Sequence, residues 1–204
     1  MLHSEAVPPV TLALLKRLCV HPATEDFALV GGTSLALRFG HRMSVDLDFF
    51  RPEIFDHKII AASLAEDFTT LQITNDNSIG MMAFIEDVKV DLVTYSYPLL
   101  QPFETIEGVR MMSLPDVAAM KLGAISNRGA KKDFYDLHIL LRELGLEKLL
   151  DCYARKFPNH DPLIPLRSMI YFEDAEDTPS PKTLIKTTWT EVKADIRTAV
   201  RSML

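Results

Sequence analysis

The stretch Gly31-Gly32-Thr33-Ser34-Leu35-Ala36-Leu37-Arg38-Phe39-Gly40-His41-Arg42-Met43-Ser44-Val45-Asp46-Leu47-Asp48-Phe49-Phe50 decides the fold. It follows a short apolar run, Phe27-Ala28-Leu29-Val30, that reads as a strand. The two glycines turn the chain into a helix predicted from Thr33 to Phe39, which Gly40 closes as a left-handed stop. From Ser44 to Phe50 the residues alternate. Val45, Leu47 and Phe49 belong to one face of a second strand, Ser44, Asp46 and Asp48 to the other.

That alternation carries the chemistry. Two carboxylates two residues apart on a strand stand about 6–7 Å from each other and repel unless a positive charge lies between them. A hard divalent cation, Mg²⁺ or Mn²⁺, suits such an oxygen pair and completes its shell with water and phosphate oxygens. Asp-x-Asp alone is also what a solvated sheet face looks like, so the neighbouring turn matters. A strand that ends in Gly31-Gly32-Thr33 and opens a helix offers backbone amides at the positive helix end, and glycine lets a phosphate come close. Phosphate cradle and acidic pair together describe a site for a nucleoside triphosphate (NTP). Arg42 and Ser44, in the connecting loop, are further candidates for phosphate contact. Asp91 is a third acid, flanked by Val90 and Leu92 in a predicted strand with Lys89, a further candidate for phosphate contact, on its face. It is a candidate metal ligand or the base for an attacking hydroxyl.

Outward from this centre, Pro9 to Val20 and residues 56–67 read as helices, and Thr70–Thr74, Ile79–Ile85 and Val88–Tyr95 as three antiparallel strands joined by turns at 75–78 and 86–87. Past about residue 110 helical periodicity takes over. Ser113 is placed to cap a helix through Val117, Met120, Leu122 and Ile125; further helices are expected over 130–144, 147–157, 163–172 and 183–204. Glu173 to Asp177 reads as a solvated loop. The expected class is α+β: a mixed, mostly antiparallel sheet flanked by helices, then an all-helical half, with domains at 1–108 and 109–204.

With 204 residues, 48% hydrophobic and 25% charged, the composition is that of an ordinary globular protein. A net charge of -6 argues against indiscriminate coating of nucleic acid or anionic membrane. Two separated cysteines make neither a disulfide framework nor a zinc site. No apolar run is long enough to span a membrane, and residues 1–5 lack the basic lead of a signal peptide. A cytoplasmic setting without membrane attachment is expected.

The run from Gly31 to Phe50 closely resembles the signature of the AbiEii/AbiGii toxin family, within the polymerase-β-like nucleotidyltransferases. Lys89-Val90-Asp91-Leu92 looks like its second motif, and Lys121-Leu122-Gly123-Ala124-Ile125, Arg128, Lys131-Lys132-Asp133 and Asp136-Leu137 resemble its helical motifs. The likeness extends from about residue 27 to 141. Where many nucleotidyltransferases have Gly-Ser in the phosphate turn, Gly32-Thr33 keeps the hydroxyl. The resemblance implies a polymerase-β-like nucleotidyltransferase core in which Asp46, Asp48 and Asp91 are catalytic metal ligands. It implies that Lys121 or Lys132 meets the triphosphate, with Arg128, Asp133 and Asp136 in support. It implies transfer of a nucleoside monophosphate to an acceptor, an RNA such as the 3′ end of a tRNA, by the toxin of a toxin–antitoxin or abortive-infection system with a cognate antitoxin. Two rivals are a nucleotide- or partner-binding module of this fold without turnover, and a phosphohydrolase.

Overall fold

A computed structural model of the chain describes residues 1–203. The chain divides into two compact units, one comprising Met1–Pro98 and Pro102–Met112, the other Leu99–Gln101 and the residues from Ser113 onward.

The first unit opens with α1 (Pro9–Val20), followed by β1 (Ala28–Leu29) and α2 (Gly31–Phe39). β2 (Leu47–Arg51) and α3 (His57–Asp67) precede three further strands, β3 (Gln72–Asp76), β4 (Gly80–Ile85) and β5 (Val88–Thr94). The hairpin of β6 (Glu104–Ile106) and β7 (Val109–Met111) completes it. Among the described residues these strands form one sheet in the order β3-β4-β5-β2-β1-β7-β6. Four pairings are antiparallel; β2 with β5 and β1 with β7 are parallel. Leu14, Leu15 and Leu18 of α1 and Ile60 and Leu64 of α3 share a core with Leu47, Phe49, Val90 and Leu92. That core takes the alternate residues of β2 and β5, which leaves Asp48, Phe50, Lys89 and Asp91 on the reverse face.

One local expectation is corrected. The second strand begins at Leu47, not Ser44, and Val45 is 54% exposed; on one side β1 ends at Leu29, opposite Phe49, and on the other the first pair with β5 is Leu47 with Val90. The β6–β7 hairpin, unforeseen, turns on Glu107 and Gly108, both at positive φ (50° and 80°), as a two-residue hairpin loop requires. Glu86 and Asp87 join β4 to β5 in the same way, at 53° and 62°. A boundary at 108/109 falls inside that hairpin, whose two strands both belong to the first unit.

The second unit is helical: α4 (Leu114–Asn127), α5 (Lys131–Leu144), α6 (Leu146–Lys156), α7 (Leu163–Ser168), α8 (Glu173–Glu176) and α9 (Trp189–Arg201). The acidic run expected as loop forms α8, with Ala175 buried and acids in its first turn, where the helix dipole favours them. The fourth predicted helix stops at Ser168, and the last begins at Trp189 behind a Thr188/Glu191 capping box; its expected end at Leu204 lies outside the described residues. Phe134, Phe172 and Trp189 pack as an aromatic cluster between α5 and α9. Among the described residues no helix is long and apolar enough to cross a membrane.

Candidate active site

Gly31 is the first residue of α2 and takes φ +67°, a conformation natural to glycine. The lack of a side chain there has a second reason: a Cβ at Gly31 would lie 2.5 Å from Asp48 Oδ2. A Cβ on Gly32 would lie 2.2 Å from Arg42 Nη2 and 3.4 Å from Ser44 Oγ. The two glycines thus let a carboxylate and a guanidinium close directly on the N-terminal turn of α2. The backbone fixes this approach, because Val30 N–H donates to Asp48 O at 2.8 Å.

The loop from Gly40 to Asp46 is clamped from inside. Thr33 is buried; its hydroxyl donates to the Asp46 carbonyl and lies 2.9 Å from Ser44 Oγ. Arg42, only 4% exposed, donates from Nη1 to the Met43 carbonyl at 3.0 Å. Asp46 itself stands just ahead of β2, half-buried.

Across the parallel pair, Asp48 is in register with Asp91. Asp91 Oδ2 accepts from Lys89 Nζ at 2.6 Å, while its Oδ1 is buried with no hydrogen-bond partner. Partial burial works against the charge on Lys89, but the hydrogen bond and charge of Asp91, then Asp48 and Asp46, outweigh it. They hold the ammonium above the usual lysine range. Lys89 is therefore the positive charge that lets the acids coexist. Among the described residues no group of three or more His, Cys, Asp or Glu side chains stands at metal-ligating spacing.

Gly31, Gly32, Thr33, Arg42, Ser44, Asp46, Asp48, Lys89 and Asp91 all belong to the first unit. The remaining sequence candidates belong to the second. There Lys121 is buried between two carboxylates, 2.8 Å from Asp133 and 2.8 Å from Asp136. Arg128 reaches Asp133 at 3.1 Å from a side chain that stays 60% exposed, and Lys132 is exposed on α5. Burial pushes the Asp133 carboxyl up, but Lys121 and Arg128 more than reverse this and hold it below the ordinary aspartate range. Burial likewise opposes charge on Lys121, and Asp136 and Asp133 raise it above the lysine range.

Sequence reasoning missed one polar centre. Asp116, in the first turn of α4, is wholly buried. It accepts from the Leu100 and Gln101 amides and from Lys156, whose Nζ lies 2.6 Å away. No local pattern signals it, because Lys156 comes from α6.

Comparison with known proteins agrees with this architecture. A family described as "Nucleotidyl transferase AbiEii toxin, Type IV TA system" matches residues 13–80 and 82–202. An uncharacterized Aquifex aeolicus protein is 35% identical over 185 residues, covering 88% of each chain. The nucleotidyltransferase toxin MenT4 of Mycobacterium tuberculosis superposes with a TM-score of 0.61 at 14% identity, covering 97% of this chain and 84% of its own. JHP933 of Helicobacter pylori gives 0.57 at 18%, over 97% and 93%. The structure of ANT(2″)-Ia in complex with adenylyl-2″-tobramycin gives 0.56 at 18%, over 74% and 98%. At these identities the solved structures show a shared nucleotidyltransferase fold. The family match, running almost from end to end, shows more: this chain belongs to the AbiEii family of nucleotidyltransferase toxins.

Proposed function

We propose that the protein transfers a nucleoside monophosphate from an NTP to an acceptor hydroxyl, and that the first unit carries the chemistry. The observation that supports this most is the buried, unpartnered Oδ1 of Asp91, in register with Asp48. A buried acid oxygen without a partner is costly, so it is kept for a ligand or a proton.

The donor set suits a hard cation. Asp46 and Asp48 would hold it through carboxylate oxygens, the chemistry Mg²⁺ or Mn²⁺ prefers, while Asp91, whose Oδ2 is taken by Lys89, keeps Oδ1 for the acceptor. Such an ion, when bound, neutralises charge on the triphosphate and on the departing pyrophosphate. The chain's own groups do the rest. Backbone amides at the start of α2 and the Arg42 guanidinium hold the phosphate tail. Thr33 and Ser44 keep the loop that carries Asp46 in shape. Asp91 Oδ1 takes the acceptor's proton while the acceptor oxygen bonds to the α-phosphorus and the bond to the β-phosphate bridge breaks, releasing pyrophosphate. Lys89 holds Asp91 through its other oxygen. In the second unit, Lys132 and Arg128 are the cations offered to a polyanion, whereas Lys121 serves to fasten α4 to α5.

As a toxin of a type IV system the protein acts against growth, in a cytoplasmic setting, with an antitoxin as its counterpart; an RNA 3′ end, tRNA included, is the acceptor we favour. Purified protein incubated with each α-labelled NTP and total RNA should label RNA, EDTA should stop it, and added Mg²⁺ should restore it. Asp48→Asn and Asp91→Asn should each reduce labelling by at least about 10²-fold while melting like the parent. Labelling by Asp48→Asn at the parental rate refutes the mechanism. The rival reading, nucleotide binding without turnover, draws on one observation, that Lys89 already neutralises Asp91; bound but untransferred label would favour it.

A further inference from the structure

Lys89 and Asp91 stand two residues apart on one face of β5, and Asp48 lies in register with Asp91 on the neighbouring strand. Strands so paired run about 5 Å apart, so the two carboxylates leave the sheet side by side. Asp46, two residues before Asp48, precedes the first pair, Leu47 with Val90. Lys89 precedes Asp91 by the same two residues. Along these parallel strands Asp46 and Lys89 therefore lie on the same side of the Asp48–Asp91 pair. The Lys89 ammonium donates to Asp91 Oδ2 at 2.6 Å and stands in the field of Asp48 and Asp46 as well. Three acids share one cation that the chain itself supplies.

We propose that the Lys89 ammonium takes the place of a second divalent cation, so that the protein works with one metal ion per active site. The inference rests on the nucleotidyl-transfer reading and states how many ions it requires. A two-ion site clamps the attacking and leaving oxygens between cations about 3.5–4 Å apart, and the ion beside the attacking oxygen would have to be held by Asp91. That acid has one oxygen on Lys89 and the other buried without a partner. Mg²⁺ needs a ligand oxygen at about 2.1 Å. An ion at that distance from Oδ2 would meet the ammonium already bonded to the same atom, and like charges so close repel strongly. Nor, among the described residues, do three acids stand at the spacing a shared cage needs. Charge agrees with geometry. Three carboxylates and one ammonium leave two negative charges, which a single divalent ion at Asp46 and Asp48 balances; Arg42 closes on the glycine turn, where the phosphates are held. Lys89 acts through Asp91, whose Oδ1 it keeps for the acceptor, and is a positioning residue.

The test counts ions on the full chain. Protein is mixed with Mn²⁺ and the α,β-methylene analogue of each of the four common NTPs, which binds but cannot transfer. Mn²⁺ and nucleotide held by the protein are measured by ultrafiltration, as the difference between retentate and filtrate. The parent should hold one ion per nucleotide throughout the Mn²⁺ titration. Lys89→Met should hold two, close enough to show spin coupling by electron paramagnetic resonance that the parent lacks. Lys89→Gln, which keeps a hydrogen-bond donor beside Asp91 but no charge, should also hold two, and it replaces Lys89→Met if that variant does not fold. A purely structural lysine would leave the count unmoved. Two ions in the parent, or one in the folded variants, overturns the role of Lys89 and leaves nucleotidyl transfer standing. Retention of none of the four analogues by the parent, together with no labelling of RNA, rejects the transfer reading itself and this inference with it.

Discussion

Replacing Gly31 by alanine separates backbone strain from damage to the acidic site. At φ +67° an L-residue costs about 1–2 kcal/mol, which for a chain of this size lowers the melting temperature by roughly 2–8 °C. The new Cβ also meets Asp48 Oδ2 at 2.5 Å, where ordinary contact begins at 3.4 Å, so the carboxylate has to retreat by about 1 Å. A displacement of that size in a reacting group costs around 10²-fold in rate. Gly108 is the internal control: its φ is +80°, yet a methyl group added there would meet nothing within 4 Å. Gly108→Ala should therefore melt earlier by a similar amount and transfer nucleotide at nearly the parental rate. Melting is followed by circular dichroism, and transfer by incorporation of α-labelled NTP into total RNA. Gly31→Ala working within threefold of Gly108→Ala would refute the claim that Asp48 must sit against the helix turn.

Other outcomes follow from groups already described. Lys121→Met removes the buried cation that Asp133 and Asp136 share and should cost about 3–5 kcal/mol in urea unfolding; a loss below about 1 kcal/mol would mean that water reaches the pair. Asp133 has a depressed folded-state pKa, so its contribution to stability is complete above the unfolded value near 3.9 and fades as pH falls through the lower folded value. Asp133→Asn should accordingly be less stable at neutral pH and flatter in stability below about pH 4, as acid titration of the melting temperature would register. Thr33→Val leaves the Asp46 carbonyl without its donor and should cost about 1–2 kcal/mol with a measurable drop in transfer; an unaltered melting curve would show that the loop needs no clamp.

Much of the local structure was legible because its causes are local. Gly40 does end α2 at φ +60°, and Ser113 Oγ does accept from the Asp116 amide at the start of α4. α1 spans Pro9–Val20 as its periodicity predicts. Legibility fails where distant chain decides. Val45 continues a faultless alternation, yet it lies ahead of β2 and is exposed, since β1 does not reach back that far. β6 and β7 are three residues each, too short to display a period, and only Glu107-Gly108 hinted at a turn. The site divides in the same way. Asp46, Asp48 and Asp91 could be picked out as odd acids, but the register that sets Asp48 opposite Asp91 comes from strand order. Lys89 reads from the sequence as a phosphate contact, and its part as counter-charge to Asp91 shows only in the fold.

The parallel union of β2 with β5 has a consequence for a growing chain. A ribosome that has released Gly31 to Phe50 has delivered the most recognisable segment of the protein but nothing able to act. Asp48 finds its companion acid only after the α3 crossover and the β3–β4 excursion have emerged and closed back on it, and such non-local closure is a slow kind of folding step. Translation therefore supplies its own delay between the synthesis of this motif and the birth of a harmful catalyst.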